Sequence, residues 1–269
     1  MLYIDRIMRV VILPDAQAVS KRASDIFCKL VKEFPDAVLG LATGGTPLGT
    51  YQELIRRHHA GDISFAEVTT FNLDEYVGLP QEHQQSYHCF MRQNLFIHID
   101  IDPKRCYLPC GTVEDLLQEC QNYELLIDQA SGIDLQLLGI GTEGHIGFNE
   151  PGSSLASRTR VKALTQQTRQ DNARFFSSPS EVPRMAITMG IGTILEAEHL
   201  LLLATGRNKA KAVHEFIEGP VTSMMPASAL QLHPNVTVLL DQDAASLLQR
   251  RDYYDQMERI QMELESAAN

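Results

Sequence analysis

Short apolar runs recur along the chain at residues 9–13, 37–42, 67–73, 134–140, 199–204 and 236–240. They are short for helices and too uniformly apolar for strands with one wet face, so they read as strands covered on both sides. Amphipathic stretches separate most of them. Val113, Leu116, Leu117, Cys120, Tyr123 and Ile127 form an apolar stripe at helical spacing in a segment rich in Glu, Asp and Gln, which predicts a crossover helix facing the core. Strand, crossover and strand repeated in this way predict an α/β fold: an open, mostly parallel sheet with helices on both faces. Met8 opens the first strand. The Ser/Pro-rich segment 177–183 reads as a surface loop, and the last twenty or so residues, with Arg250, Arg251, Tyr253 and Tyr254, as a terminal helix. No internal repeat or linker divides the chain, so residues 1–269 are expected to form one domain.

Charge narrows the range of partners. Against 23 Lys and Arg the 269 residues carry 34 Asp and Glu, a formal charge of −11. A polyanion is repelled at long range by such a surface, which argues against nucleic acid and anionic membranes. A small anionic ligand would need a local basic pocket. No apolar run approaches the length of a membrane span or a signal-peptide core, so a cytoplasmic location is expected. The five cysteines, Cys28, Cys89, Cys106, Cys110 and Cys120, are dispersed and suit reduced packing thiols. Cys106 and Cys110 lack the second ligand pair of a zinc site, and no metal is expected.

In open parallel sheets ligands bind beyond the carboxyl ends of strands, so the loops leaving each strand carry the information. Thr43-Gly44-Gly45-Thr46-Pro47 follows a strand and opens a helix, with Thr46 as N-cap and Pro47 in the first turn. Its glycines let backbone N–H groups approach an anion that the helix dipole also favours. The segment 72–80 places Asp74 and Glu75 at the exit of the next strand. A carboxylate there can cap a helix, or take a proton from carbon. The loop 139–151 is the densest: His145 stands between Glu143 and Glu150 among four glycines, an arrangement that can hold an imidazole in one tautomer for acid–base work. No G-x-S-x-G elbow accompanies it, which argues against a serine hydrolase. Lys209, in the loop 206–209, and Arg174 are the cations available to a phosphorylated ligand. His58, His59 and His233 read as surface or capping groups.

These blocks make the chain similar to the glucosamine-6-phosphate deaminases, whose superfamily also holds the 6-phosphogluconolactonases. The resemblance runs nearly end to end. It is carried by Leu-Ala-Thr-Gly-Gly-Thr-Pro at 41–47, Phe-Asn-Leu-Asp-Glu-Tyr-Val-Gly-Leu-Pro at 71–80, Gly-His-Ile-Gly-Phe-Asn-Glu-Pro-Gly-Ser-Ser at 144–154 and Ser-Arg-Thr-Arg-Val-Lys at 157–162. The glycine loop belongs to the whole superfamily, whereas the second and third blocks are particular to the deaminases. The resemblance implies a Rossmann-like fold and a cofactor-free reaction in which glucosamine 6-phosphate and water give fructose 6-phosphate and ammonium. It implies that His145 with Glu150 opens the sugar ring, that Asp74 moves a proton from C2 to C1, and that Thr43, Gly44, Gly45 and Thr46 with Arg174 and Lys209 hold the phosphate.

Glu143 stands where many relatives have Asp and some Asn. The resemblance gives that side chain the task of orienting the imidazole, here with one methylene more. Some relatives are hexamers activated by N-acetylglucosamine 6-phosphate between subunits, and the matching residues are Ser153, Arg158, Arg160 and Lys162. A homo-oligomer with such a site is the corresponding expectation. Two alternatives remain: a 6-phosphogluconolactonase-like hydrolase, against which the Asp74 and Glu150-Pro151 blocks count, and a sugar-phosphate sensor without turnover, against which the lack of a basic DNA-binding module counts.

Overall fold

The computed structural model describes residues 8–173, 176, 178 and 181–268. Its strands are β1 (Arg9–Leu13), β2 (Val38–Leu41), β3 (Thr69–Asn72), β4 (Asp74–Tyr76), β5 (Cys106–Tyr107), β6 (Leu135–Gly139), β7 (Arg160–Ala163), β8 (Met185–Thr188), β9 (Leu200–Ala204) and β10 (Val236–Asp241). The helices are α1 (Ala16–Glu33), α2 (Leu48–His59), α3 (Tyr87–Asn94), α4 (Leu116–Gln129), α5 (Gln166–Asn172), α6 (Ile191–Ile194), α7 (Ala210–Glu218) and α8 (Arg251–Ala268). Each of the six apolar runs contains a strand of the main sheet, whose order is β1-β10-β9-β6-β2-β3-β5. All its pairings are parallel. This is the expected α/β architecture.

Strand order positions the site. β2 and β6 are neighbours, yet the chain leaving β2 moves outward to β3 and the chain leaving β6 moves the opposite way to β9. The two loops therefore diverge and leave a crevice at the carboxyl end of the sheet, the usual ligand position in such folds.

Packing rather than helix propensity fixes the covering helices. α1 buries Val19, Ala23, Phe27 and Val31, one face at four-residue spacing. Each large apolar side chain so buried contributes about 1.5–3 kcal/mol, against about 1 kcal/mol for a cap such as Asp15, whose carboxylate accepts from Ala18 N at 2.8 Å. In α4 the expected stripe is narrower than the sequence suggested. Cys120, Tyr123 and Ile127 are buried, but Val113 and Leu117 are 38% and 70% exposed. Val113 precedes the cap Asp115, and Leu117 lies to one side of the stripe, about 100° around the helix from Leu116 and about 60° from Cys120.

A second sheet was not anticipated. β4, β8 and β7 form an antiparallel ladder in which Asp74 and Arg160 both face Thr188 across the register. Asp74, expected in a loop, is thus a strand residue. The segment 177–183 lies partly outside the described residues, whereas the terminal helix is present as α8. Among the described residues no helix is long and apolar enough to cross a membrane.

Candidate functional site

A cleft of about 1270 Å³ opens at the divergence of β2 and β6, lined by Thr43, Gly44, Gly45 and Thr46, by Asp74, by Gly141 and His145, and by Lys209. Four loops that are far apart in sequence meet there.

The phosphate-seeking loop enters α2 one residue later than expected. α2 starts at Leu48, Pro47 precedes it, and no side chain caps it, so Thr46 is not the N-cap. The first-turn amides are consequently not spent on a cap and remain available to an anion. Gly44 has φ +93°, a conformation that favours glycine and turns the chain sharply at the strand end. The loop is held from beneath by Tyr51 of α2, fully buried, whose hydroxyl donates to Ala42 O at 2.6 Å and accepts from Ala42 N at 3.2 Å.

Asp74 is only 6% exposed, although it lines the cleft. Burial, and secondarily the negative charge of Glu75, push its carboxyl up from 3.8 to about 8. Facing it is the third loop: a Cβ on Gly147, where φ is +54°, would come within 3.3 Å of Asp74 Oδ2 and 2.9 Å of Thr188 Oγ1. Only glycine lets this backbone pass so close to the carboxyl. Asn149 anchors the same loop, its Nδ2 donating to Ile146 O at 2.9 Å and Met189 O at 2.8 Å.

His145 reaches the cleft across Gly141. The imidazole lies directly over the Gly141 Cα, so that a Cβ there would fall 2.1 Å from Cε1 and 2.3 Å from Nδ1. The turn is closed by Gly141 N donating to His145 O at 2.9 Å. Lys209 stands at the start of α7, on a loop tied to the end of β10 by Asp241, whose carboxylate accepts from Gly206 N at 2.9 Å and Ala244 N at 2.7 Å.

Other expected residues stand elsewhere. Glu143 is exposed and is not among the cleft-lining residues. Glu150 is buried and engaged by α5: its Oε1 accepts from Thr165 N at 3.0 Å and from the Thr168 hydroxyl, and Thr168 rather than Glu150 lines the cleft. Arg174 lies outside the described residues. Ser153 is buried, and the Arg158 guanidinium is held by Glu124 and Glu196, each at 2.5 Å. Arg160 and Lys162 lie two apart on β7 and so share a face, away from the cleft lining. Among the lining residues without a sequence signal are Lys21, Arg56, Thr168 and Tyr87, the last within hydrogen-bonding reach of Thr43 and with its hydroxyl 3.4 Å from that of Tyr76. Among the described residues no group of three or more His, Cys, Asp or Glu side chains is gathered to hold a metal.

The arrangement brings a glycine-rich loop at a helix start, a cation, a buried carboxyl that binds its proton tightly and an imidazole to one cleft. Comparisons with known proteins bear on its chemistry. The sequence profile of the glucosamine-6-phosphate isomerases/6-phosphogluconolactonases matches residues 14–239. The chain is 54% identical over 251 residues to a glucosamine-6-phosphate deaminase of Shewanella woodyi, covering 93% of this chain and 95% of that one. It is also 54% identical over 245 residues to one from Rhodopirellula baltica, covering 91% and 98%. A solved structure described as a monomeric glucosamine-6-phosphate deaminase superposes with TM-score 0.88 at 52% identity, covering 89% of this chain and all of that one. A 6-phosphogluconolactonase from Trypanosoma cruzi superposes with TM-score 0.71 at 22% identity and shares the fold alone.

Proposed function

The chain belongs to the family of glucosamine-6-phosphate isomerases and 6-phosphogluconolactonases, and from that premise we propose that it is a glucosamine-6-phosphate deaminase acting as one domain and without a cofactor. It converts glucosamine 6-phosphate and water to fructose 6-phosphate and ammonium. The observation that carries the reading is Asp74: a buried carboxyl of raised proton affinity at the floor of a phosphate-binding cleft, suited to removing a proton from carbon. A lactonase hydrolyses an ester and has no carbon-bound proton to move. The high identity to named deaminases supports the same choice.

The proposed steps use the roles that the resemblance implies. The substrate phosphate lies on the amides of Thr43 to Thr46 and the Lys209 ammonium, with Arg174 as a further cation, which fixes the sugar carbons over Asp74. His145 with Glu150 moves a proton between the ring oxygen and the C1 hydroxyl, opening the pyranose to the aldehyde; the Glu150 carboxylate is held by Thr165 and Thr168. Asp74 removes the C2 proton, the electron pair enters the C1–C2 bond as the carbonyl oxygen gains a proton, and the same carboxyl returns a proton to C1. The resulting C2 imine takes up water and releases ammonia. Glu143 orients the imidazole, as the resemblance implies.

A coupled assay for fructose 6-phosphate tests the reading. Product from glucosamine 6-phosphate supports it, and hydrolysis of 6-phosphogluconolactone without such product sinks it. Binding without turnover of either would instead fit a sensor. Lys209→Ala is expected to raise KM about ten- to a hundredfold with a smaller effect on kcat, because a hydrogen bond to a charged group contributes about 1.5–3 kcal/mol.

Regulation forms part of the same proposal. Arg158 is engaged by two carboxylates and Ser153 is buried, and the solved relative is described as monomeric. We therefore expect N-acetylglucosamine 6-phosphate to leave the half-saturating substrate concentration unchanged, and sedimentation to give a single chain in place of the homo-oligomer suggested by resemblance. A hyperbolic shift on adding the acetylated sugar would restore the cluster Ser153, Arg158, Arg160 and Lys162 as an activator site.

A further inference from the structure

The reaction as derived uses Asp74 and leaves its neighbour unexplained. Glu75 is 1% exposed, and its carboxylate is fully occupied: Oε1 accepts from Tyr76 N at 2.7 Å and Tyr87 N at 3.1 Å, and Oε2 accepts from His88 N at 3.0 Å with His88 Nδ1 at 2.8 Å. Burying a carboxylate is costly, and four donors are more than an N-cap requires. The cap of α3 is in any case already supplied by Ser86, whose hydroxyl accepts from Cys89 N at 3.0 Å. The Glu75 contacts do something that Ser86 does not: they bind the first turn of α3 to β4, the strand that carries Asp74.

That first turn begins with Tyr87, whose ring packs 4.9 Å from that of Tyr76 and stacks on Phe148 while its phenol lines the cleft beside Thr43. We propose that Glu75 is a positioning residue of this site: its carboxylate fixes the Tyr87 phenol in the cleft between the phosphate loop and Asp74, and places a fixed negative charge one residue from Asp74. The inference rests on the reading of Asp74 as the carbon base.

The groups surrounding the pair define what a pH profile can report. On β4 they are Tyr76 and the two carboxyls themselves; on α3, Tyr87 and His88; on α4, Tyr123, which feels the Asp74 charge. On β8 the partners are Thr188 opposite Asp74 and Ile187 opposite Glu75, neither charged. The loop 141–147 brings His145 into the same cleft. Glu75 is the near acidic neighbour whose charge adds to burial in raising Asp74.

Glu75→Gln removes the charge and keeps the shape. Deprotonated Asp74 is the working form, so kcat/KM falls below its pKa, and loss of the neighbouring charge moves that acid limb to lower pH. The ratio of kcat/KM at pH 6.5 to that at pH 9 should rise by roughly three- to tenfold over the wild-type ratio, for a displacement of about half to one pH unit. A purely structural role would lower activity at every pH and leave this ratio alone, and an unchanged ratio in folded protein overturns the proposal. Where Glu75→Gln does not accumulate as folded protein, Glu75→Asp decides. It keeps the charge but is too short to reach the α3 amides, so the ratio should hold while KM for glucosamine 6-phosphate rises at least about fivefold; wild-type KM overturns the proposal. Asp74→Asn separates the two readings: turnover in that variant removes the base assignment itself, whereas an inactive Asp74→Asn with an unchanged Glu75→Gln ratio removes only the role of Glu75.

Discussion

Replacing Asp74 by Asn is expected to lower kcat by about 10³–10⁴-fold, the upper part of what a positioned general base contributes, while Kd for the substrate changes by less than about threefold. Asn keeps the volume and polarity of the side chain and loses only the ability to take a proton from C2. The same substitution should stabilise the fold at high pH. Asp74 has its folded pKa raised from 3.8 to about 8, so between those values the folded chain holds a proton that the unfolded chain has released. Unfolding then releases protons, and stability falls as pH rises from about 4 through about 8. The Asn variant escapes this loss. At pH 5 the two proteins should melt within a degree or so of each other; at pH 9 the variant should melt several degrees higher, since ionising the buried carboxyl costs on the order of a few kcal/mol. Wild-type kcat/KM should meanwhile show an acid limb near pH 8. A variant that is inactive yet melts no higher than wild type at pH 9 would show that Asp74 titrates near its solution value, and the account of its environment would fail.

The sequence made the parallel sheet legible because its strands are buried on both faces and consequently read as unbroken apolar runs, such as Leu200–Ala204. It hid the small sheet for the opposite reason. β4 is Asp-Glu-Tyr, β7 is Arg-Val-Lys-Ala and β8 is Met-Ala-Ile-Thr, segments of three or four residues whose apolar pattern is too brief to set a period, and β4 pairs with a strand far along the chain, Asp74 lying opposite Thr188. This sheet turns Asp74 from a loop carboxylate into a buried one. Its place at a strand exit could be read from the chain, but the environment that changes its proton affinity could not. His145, Lys209 and the loop 43–46 were legible because each directly follows a strand of the main sheet. Tyr87 and Thr168 come to the cleft from helices whose docking depends on Glu75 and Glu150, and nothing local marks them. Glu143 and Glu150 both flank His145 in sequence, and nothing local marks that one is exposed and the other buried against Thr165 and Thr168.

Gly141→Ala should strongly reduce turnover without unfolding the protein. The φ of Gly141 is not in the left-handed region, so the backbone itself accepts alanine. The obstacle is the imidazole: the new methyl would sit 2.1 Å from Cε1, 2.3 Å from Nδ1 and 2.4 Å from Nε2 of His145, far inside van der Waals contact with three ring atoms. The backbone is held in its turn by Gly141 N donating to His145 O, so the ring must rotate away from its position over the loop. Ring opening then loses its proton carrier, and kcat on glucosamine 6-phosphate should fall about 10²–10³-fold, the range expected for removing one acid–base group. A ligand that needs no ring opening distinguishes a displaced imidazole from a collapsed cleft. The open-chain 2-amino-2-deoxyhexitol 6-phosphate should bind the variant with a Kd within about threefold of wild type, because the amides of 43–46 and Lys209 are untouched. Loss of that binding together with a lower melting temperature would mean that the β6 loop as a whole had moved. Retained turnover would mean that His145 works from a second rotamer, in which case the stacking over Gly141 is packing rather than catalytic placement.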